Sequence, residues 1–180
     1  TAEFRSEYRN GEVFPMPGGT PNHNRLAGNF YRDFNAHFEN LGSETQPHEA
    51  FITDMRLWIP SYYLFTYPDI LIIQGEPELL EGRRDTMLNP KVIVEVLSDS
   101  TELYDRTDKF QMYRSLPSLK EYILISQYKI RVEQYAIDKH GEWVFRDYEG
   151  AEAVLKLVSV PFEIKLSQLY RKVIFETLGQ

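Results

Sequence analysis

A helical repeat of apolar residues follows the glycine-rich break at residues 18–19 and predicts a long amphipathic helix. Its members are three or four positions apart: Leu26, Phe30, Phe34, Phe38 and Leu41. This spacing places them on one face of the helix, so that face is expected in the core. Thr20 can cap the helix start, and Pro21 fits the first turn, where a backbone N–H is not needed.

Short apolar runs predict the strands. Residues 91–97 are mostly apolar and β-branched around Glu95, which is typical of a buried central strand. Another run begins at Asp69 and extends to residue 73. Asn10-Gly11 predicts a hairpin between residues 5–9 and 12–16, because a type I′ turn needs positive φ at both central positions. Further strands are predicted over residues 50–59, 121–126, 131–137, 143–148 and 155–158.

The remaining segments predict one domain rather than several. A second helix is expected over residues 101–115, ending before Pro117, and a short closing helix over residues 166–170. Residues 74–89 are polar, with glycine and proline, and predict a surface loop. No repeat or linker divides the chain. We therefore expect a single domain over residues 1–180 of the α/β (α+β) class, with a mixed central sheet flanked by two main helices.

Composition and charge narrow the classes of function. A chain of 180 residues with 42% hydrophobic residues can form one well-packed core. The absence of cysteine excludes disulfides and thiolate zinc sites, and favours a cytoplasmic protein. No apolar run is long enough to predict a membrane helix. A net charge of -7 argues against non-specific coating of nucleic acid, but it is compatible with an enzyme on DNA whose metal site needs carboxylates.

Glu95 is the most informative residue, because burying an ionised carboxylate is costly unless it is paired or binds a metal. Asp69, on another predicted strand, can converge with it on one hard cation, and the Val96 carbonyl can add a further oxygen. Two alternatives remain for Glu95, an edge strand facing solvent or a pair with a nearby arginine. Asp69 after Pro68 is also compatible with a simple turn.

Pro68-Asp69 followed by Glu95-Val96-Leu97 is similar to the PD-(D/E)XK nuclease signature, and the wider chain resembles the Uma family of restriction-endonuclease-like proteins. The similar stretches include residues 7–8 and 11–12, 16–24, 67–69, 89–98, 100–101, 104–106, 109–110, 113–114, 117–119 and 121–122. The resemblance implies a restriction-endonuclease-like fold and hydrolysis of phosphodiester bonds.

One departure from the superfamily pattern concerns the lysine expected two residues after Glu95, where this chain has Leu97. The resemblance implies that Lys109, on the following helix, has taken its place. Its ammonium would position or deprotonate the attacking water and offset charge on the phosphorane. The alternative is a surface ion pair between Lys109 and Asp105, four residues earlier.

Three further residues are auxiliary candidates. His23, in the first turn of the first helix, would complete the metal shell, as a histidine there does in several nucleases of the superfamily; a solvated histidine is equally compatible. Tyr113, one turn after Lys109, would bond a phosphate or the site carboxylates, or belong to the core. Glu12 is a weaker candidate, more typical of a hairpin surface.

Arg106 and Arg114 are candidates for phosphate contacts, although arginines scattered along a helix usually form a solvated face. Like charges are expected to crowd the metal-free site, so that Asp69→Asn or Glu95→Gln keeps or raises the melting temperature.

Together these features predict a Mg²⁺- or Mn²⁺-dependent endodeoxyribonuclease, with one or two ions held by Asp69 and Glu95 and DNA as substrate. Restriction-like folds commonly act as homodimers, because cutting two strands needs two sites. The rival interpretation is an inactive nuclease-like fold that binds protein or nucleic acid, supported by Leu97. A carbohydrate or lipid hydrolase with paired carboxylates, which would not need metal, is a third interpretation.

Overall fold

The structure, a computed structural model, describes residues 6–9, 11–15, 18–41 and 48–175. Its strands in chain order are β1 (Ser6–Arg9), β2 (Glu12–Pro15), β3 (His48–Ile52), β4 (Arg56–Ile59), β5 (Leu64–Thr66), β6 (Ile70–Gln74), β7 (Thr86–Met87), β8 (Val92–Leu97), β9 (Glu121–Ser126), β10 (Arg131–Ile137), β11 (Trp143–Glu149), β12 (Val154–Lys156) and β13 (Glu163–Lys165). Its helices are α1 (Pro21–Leu41), α2 (Glu102–Tyr104), α3 (Phe110–Tyr113) and α4 (Leu166–Leu169).

The main sheet has six strands in the order β11-β10-β9-β8-β6-β3. Its strands pair antiparallel except for β8 and β9, which run parallel. A second sheet has the order β2-β1-β5-β4-β7, and β12 pairs with β13. The mixed central sheet predicted from the apolar runs is therefore present.

Strand β8 lies in the middle of the main sheet, and all six of its residues are buried. Val92, Val94 and Val96 pack on one face in the same core as Phe30 and other α1 residues. Ile93 and Leu97 pack on the opposite face with α3. The predicted mixed sheet flanked by two main helices is confirmed, and the structure places α1 on one face and α3 on the other. Because side chains alternate along a strand, Glu95 points to the second face, as predicted.

The second helix differs from the regular helix predicted over residues 101–115. It runs over residues 102–113 and contains a π-helical turn, Asp105–Lys109, between α2 and α3. Both Asp105 and Lys109 are buried. π-helical turns insert one residue into a helix and often occur at functional sites. No local pattern in the sequence indicates this turn.

Several strand predictions need correction. The run over residues 50–59 is two strands in different sheets, because Thr53 and Asp54 have φ of 40° and 59° and break the extended backbone. The predicted loop over residues 74–89 contains β7, and β5 and β13 were not predicted. These strands have only two or three residues, too few for a periodic pattern.

The hairpin of β1 and β2 is present in the predicted register. Its predicted members Arg5, Asn10 and Met16, like the side chain of Leu41 on α1, lie outside the described residues. No described helix combines the length and the apolar composition needed to span a membrane.

The start of α1 is fixed by the predicted cap. The Thr20 hydroxyl oxygen accepts a hydrogen bond from the His23 amide at 3.1 Å. The same hydroxyl donates to Gln127 Oε1 at 2.5 Å, and Gln127 Nε2 donates to the carbonyl of Leu97 at 2.7 Å. This chain of bonds ties the first turn of α1 to the end of β8.

We expect Thr20→Ala to lower the free energy of unfolding by about 1 kcal/mol, the usual cost of losing a helix cap. Thr20→Ser keeps the hydroxyl and is the matched control. Urea denaturation of both variants measures the difference. Equal stability of the two variants would contradict the capping role.

Candidate active site

The end of β8 and the start of α1 border a cavity of about 300 Å³. Among its lining residues are Gly19, His23, Asp69, Glu95, Val96 and Lys109. Four of the predicted site residues, from segments distant in the sequence, therefore meet in one place: His23, Asp69, Glu95 and Lys109.

The two carboxylates come from neighbouring segments of the main sheet: Glu95 lies on β8, and Asp69 comes directly before the adjacent strand, β6. Asp69 directly precedes β6, which pairs with β8 through Ile70 and Val94. The Asp69 amide donates to Glu95 Oε2 at 3.3 Å, and the Val96 amide donates to Asp69 Oδ2 at 2.8 Å. Glu95 is only 4% exposed and lies in a central strand, so the edge-strand alternative is wrong.

Lys109 supplies the cation that Glu95 requires. Its Nζ lies 2.7 Å from Glu95 Oε1 and 3.2 Å from Asp105 Oδ1. The side chain is 5% exposed, so the surface-ion-pair alternative is wrong, although the contact with Asp105 is present. The predicted convergence of Lys109 with the carboxylates is confirmed in geometry.

Tyr113 and His23 complete the contacts around the two carboxylates. The Tyr113 hydroxyl donates to Glu95 Oε1 at 2.7 Å, and its ring is fully buried, so it serves the site and the core together. His23 Nε2 lies 3.0 Å from Asp69 Oδ2. The histidine thus reaches the site from the first helical turn, as predicted, but it contacts Asp69.

The electrostatic environments of the two acids differ. Burial, together with the nearby Asp69 and Asp105, raises the pKa of Glu95 to about 8 although Lys109 opposes the shift. Burial opposes ionisation of Asp69 too, but His23, the Val96 amide and Lys109 lower its pKa below the ordinary value. The expected charge crowding therefore applies to Glu95, whereas Asp69 has favourable partners.

The buried lysine is charged at neutral pH. Burial disfavours the ammonium form of Lys109, but the charges of Glu95 and Asp105 raise its pKa well above the ordinary value. Tyr113 remains a neutral phenol, because burial and the neighbouring Glu95 raise its pKa well above its ordinary value. Both groups can therefore donate hydrogen bonds in the site.

The residues present fit a magnesium-type ion better than zinc. In the part of the chain that the structure describes, no three His, Asp or Glu side chains surround one point at metal-binding distance. Mg²⁺ needs fewer protein ligands, since it is usually held by one or two carboxylates and keeps several waters. Within the described residues, the contacts of the Asp69 carboxylate with the Val96 amide and with His23 are made by Oδ2. The other oxygen, Oδ1, therefore remains for an ion.

The predicted auxiliary residues Glu12, Arg106 and Arg114 lie outside the cavity lining, as does Tyr113, which contacts Glu95 from the core. Glu12 is exposed on β2. Arg106 is bound by Glu102 at 2.8 Å and by Glu133. Arg114 is exposed and stacks over the Phe110 ring at 5.5 Å. Their roles remain predictions, and the ion pairs of Arg106 weaken the case for a phosphate contact.

The sequence interpretation missed residues whose roles depend on distant partners. Glu7, rather than Glu12, is the buried acid of the hairpin, with hydrogen bonds from Thr66 and, at 3.3 Å, from the Tyr104 hydroxyl. Gln127 follows β9 and lines the cavity. For Asp105, the sequence offered one signal of its contact with Lys109, the spacing of four residues along a helix.

The Uma2 family model, described as "putative restriction endonuclease", matches residues 1–168. The chain belongs to the Uma2 family. Its relatives include the uncharacterized protein sll1609 of Synechocystis, 36% identical over 155 residues, covering 86% of this chain and 85% of that protein. A second relative, the uncharacterized protein slr1290 of the same organism, is 28% identical over 173 residues. That alignment covers 95% of this chain and 86% of slr1290.

A crystal structure of a putative nuclease from Anabaena variabilis is similar to this Uma2 chain, with a TM-score of 0.75 at 16% identity. The structural alignment covers 96% of this chain and 93% of the Anabaena variabilis chain. This likeness concerns the fold, which is restriction-endonuclease-like as predicted. Family and fold together support nuclease as the general class of function.

The raised pKa of Glu95 predicts how the stability of the metal-free protein depends on pH. The folded-state pKa of about 8 exceeds the ordinary value of 4.5, so the folded state holds an extra proton between these values. Stability is therefore full below the lower value and falls as pH rises through the window, by up to about 1.4 kcal/mol per pH unit.

Glu95→Gln has nearly the shape of the protonated glutamic acid side chain, but it cannot titrate. Urea denaturation of both proteins in chelator, from pH 5 to pH 8, measures the effect. The stability of the wild type relative to the variant should decline across the range. A constant difference would mean that Glu95 is already ionised in the folded protein.

Proposed function

We propose that this Uma2 protein is a metal-dependent endonuclease that hydrolyses phosphodiester bonds in DNA. The main support is the position of Lys109, whose buried ammonium lies 2.7 Å from Glu95, the neighbour of Asp69. Two carboxylates and a lysine are thus together although Leu97 stands where the lysine is expected. Lysine is rarely this buried unless it is paired, so the 5% exposure of Lys109 beside this pair supports a role in the site.

Asp69, Glu95 and the Val96 carbonyl are the groups that would hold Mg²⁺ or Mn²⁺. When bound, such an ion polarises the scissile phosphate and lowers the pKa of a coordinated water. The oxygen-rich donor set suits a hard cation. His23, whose Nε2 contacts Asp69 Oδ2, is better suited to orient that carboxylate than to bind the ion directly.

Lys109 acts as a cation and hydrogen-bond donor rather than as a base, because its pKa is raised well above the ordinary value. An ammonium has three N–H groups. Glu95 accepts one of them, and Asp105 is an ion-pair partner whose Oδ1 lies 3.2 Å away, so an N–H remains for a phosphate oxygen or the attacking water. A positive charge fixed beside the phosphorane stabilises the transition state without reorganisation of solvent.

The same proposal includes DNA as substrate, a homodimer and a cytoplasmic location. DNA is supported by the restriction-endonuclease description of the family. A second copy would supply the second site needed to cut both strands. The absence of cysteine is typical of a reducing compartment.

The second candidate function is a nuclease-like module that binds nucleic acid or protein without cleaving it. Leu97 favours it, and so does the occupation of Glu95 Oε1 by Lys109 and Tyr113. Cleavage that requires Mg²⁺ or Mn²⁺ and stops in chelator separates the two candidates. A protein that binds DNA but never cuts it would be the module.

Lys109→Met keeps most of the apolar stem and removes the ammonium. We expect this variant to fold, to bind Mn²⁺ and to nick plasmid DNA at least about 10²-fold more slowly with Mg²⁺, the usual cost of removing one fixed donor to the charge that develops in the transition state. Circular dichroism checks the fold. Lys129→Met, at an exposed lysine 3.9 Å from Glu149, is the matched control and should be fully active.

Leu97→Lys in the Lys109→Met background returns a lysine to the position found in the wider superfamily, and partial recovery of nicking is expected. Equal activity of wild type and Lys109→Met would contradict the role of Lys109.

A further inference from the structure

The outer face of the second sheet carries three aromatic side chains in register. Tyr8 of β1 pairs with Phe65 of β5, and Phe65 pairs with Trp58 of β4. The ring centroids are 6.2 Å apart for Tyr8 and Phe65 and 4.3 Å apart for Phe65 and Trp58. We call these three residues the aromatic row.

The aromatic row faces away from the core. Strand neighbours of its members, Leu57, Leu64 and Thr66, are fully buried, so alternation places the row on the opposite face. Tyr8 is 43% exposed, and Tyr63, 70% exposed, packs edge-on against Trp58 at 6.2 Å. Aromatic rings accessible along several neighbouring strands mark a binding surface more often than a bare exterior.

Positive charge borders the aromatic row. The Arg56 guanidinium lies 5.9 Å from the Phe65 centroid and 5.3 Å from that of Tyr67. Arg83 lines the same groove, together with Tyr8, Phe65, Tyr67 and Arg56. Asp85 pairs with both arginines, at 2.9 Å and 3.4 Å, so two cations face one carboxylate. The groove therefore has a local positive excess on a chain of net charge -7.

The groove adjoins the candidate active site. Tyr67 lines both the groove and the cavity that contains Asp69 and Glu95. Arg56 Nε donates to the Tyr67 hydroxyl at 2.7 Å, which fixes the ring between the two. A DNA strand bound over the aromatic row would therefore lie next to the cavity that contains the carboxylates.

We propose that the aromatic row stacks unpaired bases of a single-stranded segment of the DNA substrate, with Arg56 and Arg83 contacting its backbone. This inference rests on the proposed function and names the form of its substrate. Every base presents a π-face, so stacking on protein aromatics recognises single strands with little sequence preference. In a duplex the same faces are covered by neighbouring bases. A sheet face bearing aromatics is an established solution for single-stranded nucleic acid.

The test separates stacking from simple apolar contact. The double variant Tyr8→Leu/Phe65→Leu keeps apolar area and removes two rings. Anisotropy of a labelled single-stranded oligonucleotide, measured in chelator, should show binding weakened about ten-fold or more by the double variant. Phe145→Leu, at an aromatic residue 49% exposed on β11, is the matched control and should bind as wild type does. Wild type should prefer the single strand to the duplex of the same sequence.

Trp58 provides an independent signal. In a Trp143→Phe background it is the remaining tryptophan of the chain, and the oligonucleotide should quench its fluorescence. Absence of quenching would overturn the proposal, as would equal affinity of wild type and double variant or a preference for duplex. Sedimentation tests whether a second copy of the chain binds this face instead. Self-association that is lost in Arg56→Glu and that blocks oligonucleotide binding would assign the face to a second copy. That result would also overturn the proposal.

Failure of this inference is distinguishable from failure of the proposed function. Metal-dependent cleavage without binding to the aromatic row contradicts only the inference. Binding to the row without any cleavage contradicts only the proposed function.

Discussion

The buried carboxylate of Glu95 is the constraint on which the rest of the site depends. A carboxyl group buried in the central strand of an apolar sheet needs polar partners, and the structure supplies Lys109 at 2.7 Å and Tyr113 at 2.7 Å. Both partners belong to the helix packed on that face of β8. Its π-helical turn allows Asp105 and Lys109 to be buried together. The fold of this helix therefore determines which groups contact Glu95 in the site.

The position of Lys109 is consistent with the proposed function. The structure places an ammonium beside the strand carboxylate, and a long side chain from a neighbouring helix reaches this point as well as one from the strand would. Leu97 can then take part in the apolar core with Met112 and Leu116. A lysine at position 97 is thus one solution to this constraint, and the helix-borne Lys109 is another.

Local patterns were sufficient for the parts of the molecule that are locally determined. The repeat of α1, the apolar run of β8 and the pairing of Asp69 with Glu95 all follow from spacing and burial. Lys109 came from a family resemblance, because its contact with Glu95 joins two elements. The π-helical turn, the cap contact of Gln127 and the strands β5 and β7 were missed, since long-range pairing creates them. The opposite pKa shifts of Asp69 and Glu95 likewise depend on tertiary neighbours.

Calorimetric titration of Mn²⁺ tests the central claim, that Glu95 and Asp69 are ligands rather than a structural ion-pair network. Wild type should bind Mn²⁺ more tightly as pH rises from 6 to 8, because Glu95, with a pKa of about 8, must lose its proton to bind. Glu95→Gln should bind at least about ten-fold more weakly and lose this pH dependence. Glu12→Gln, which removes an exposed acid outside the cavity, should match wild type. Equal Mn²⁺ affinity of wild type and Glu95→Gln would contradict the account.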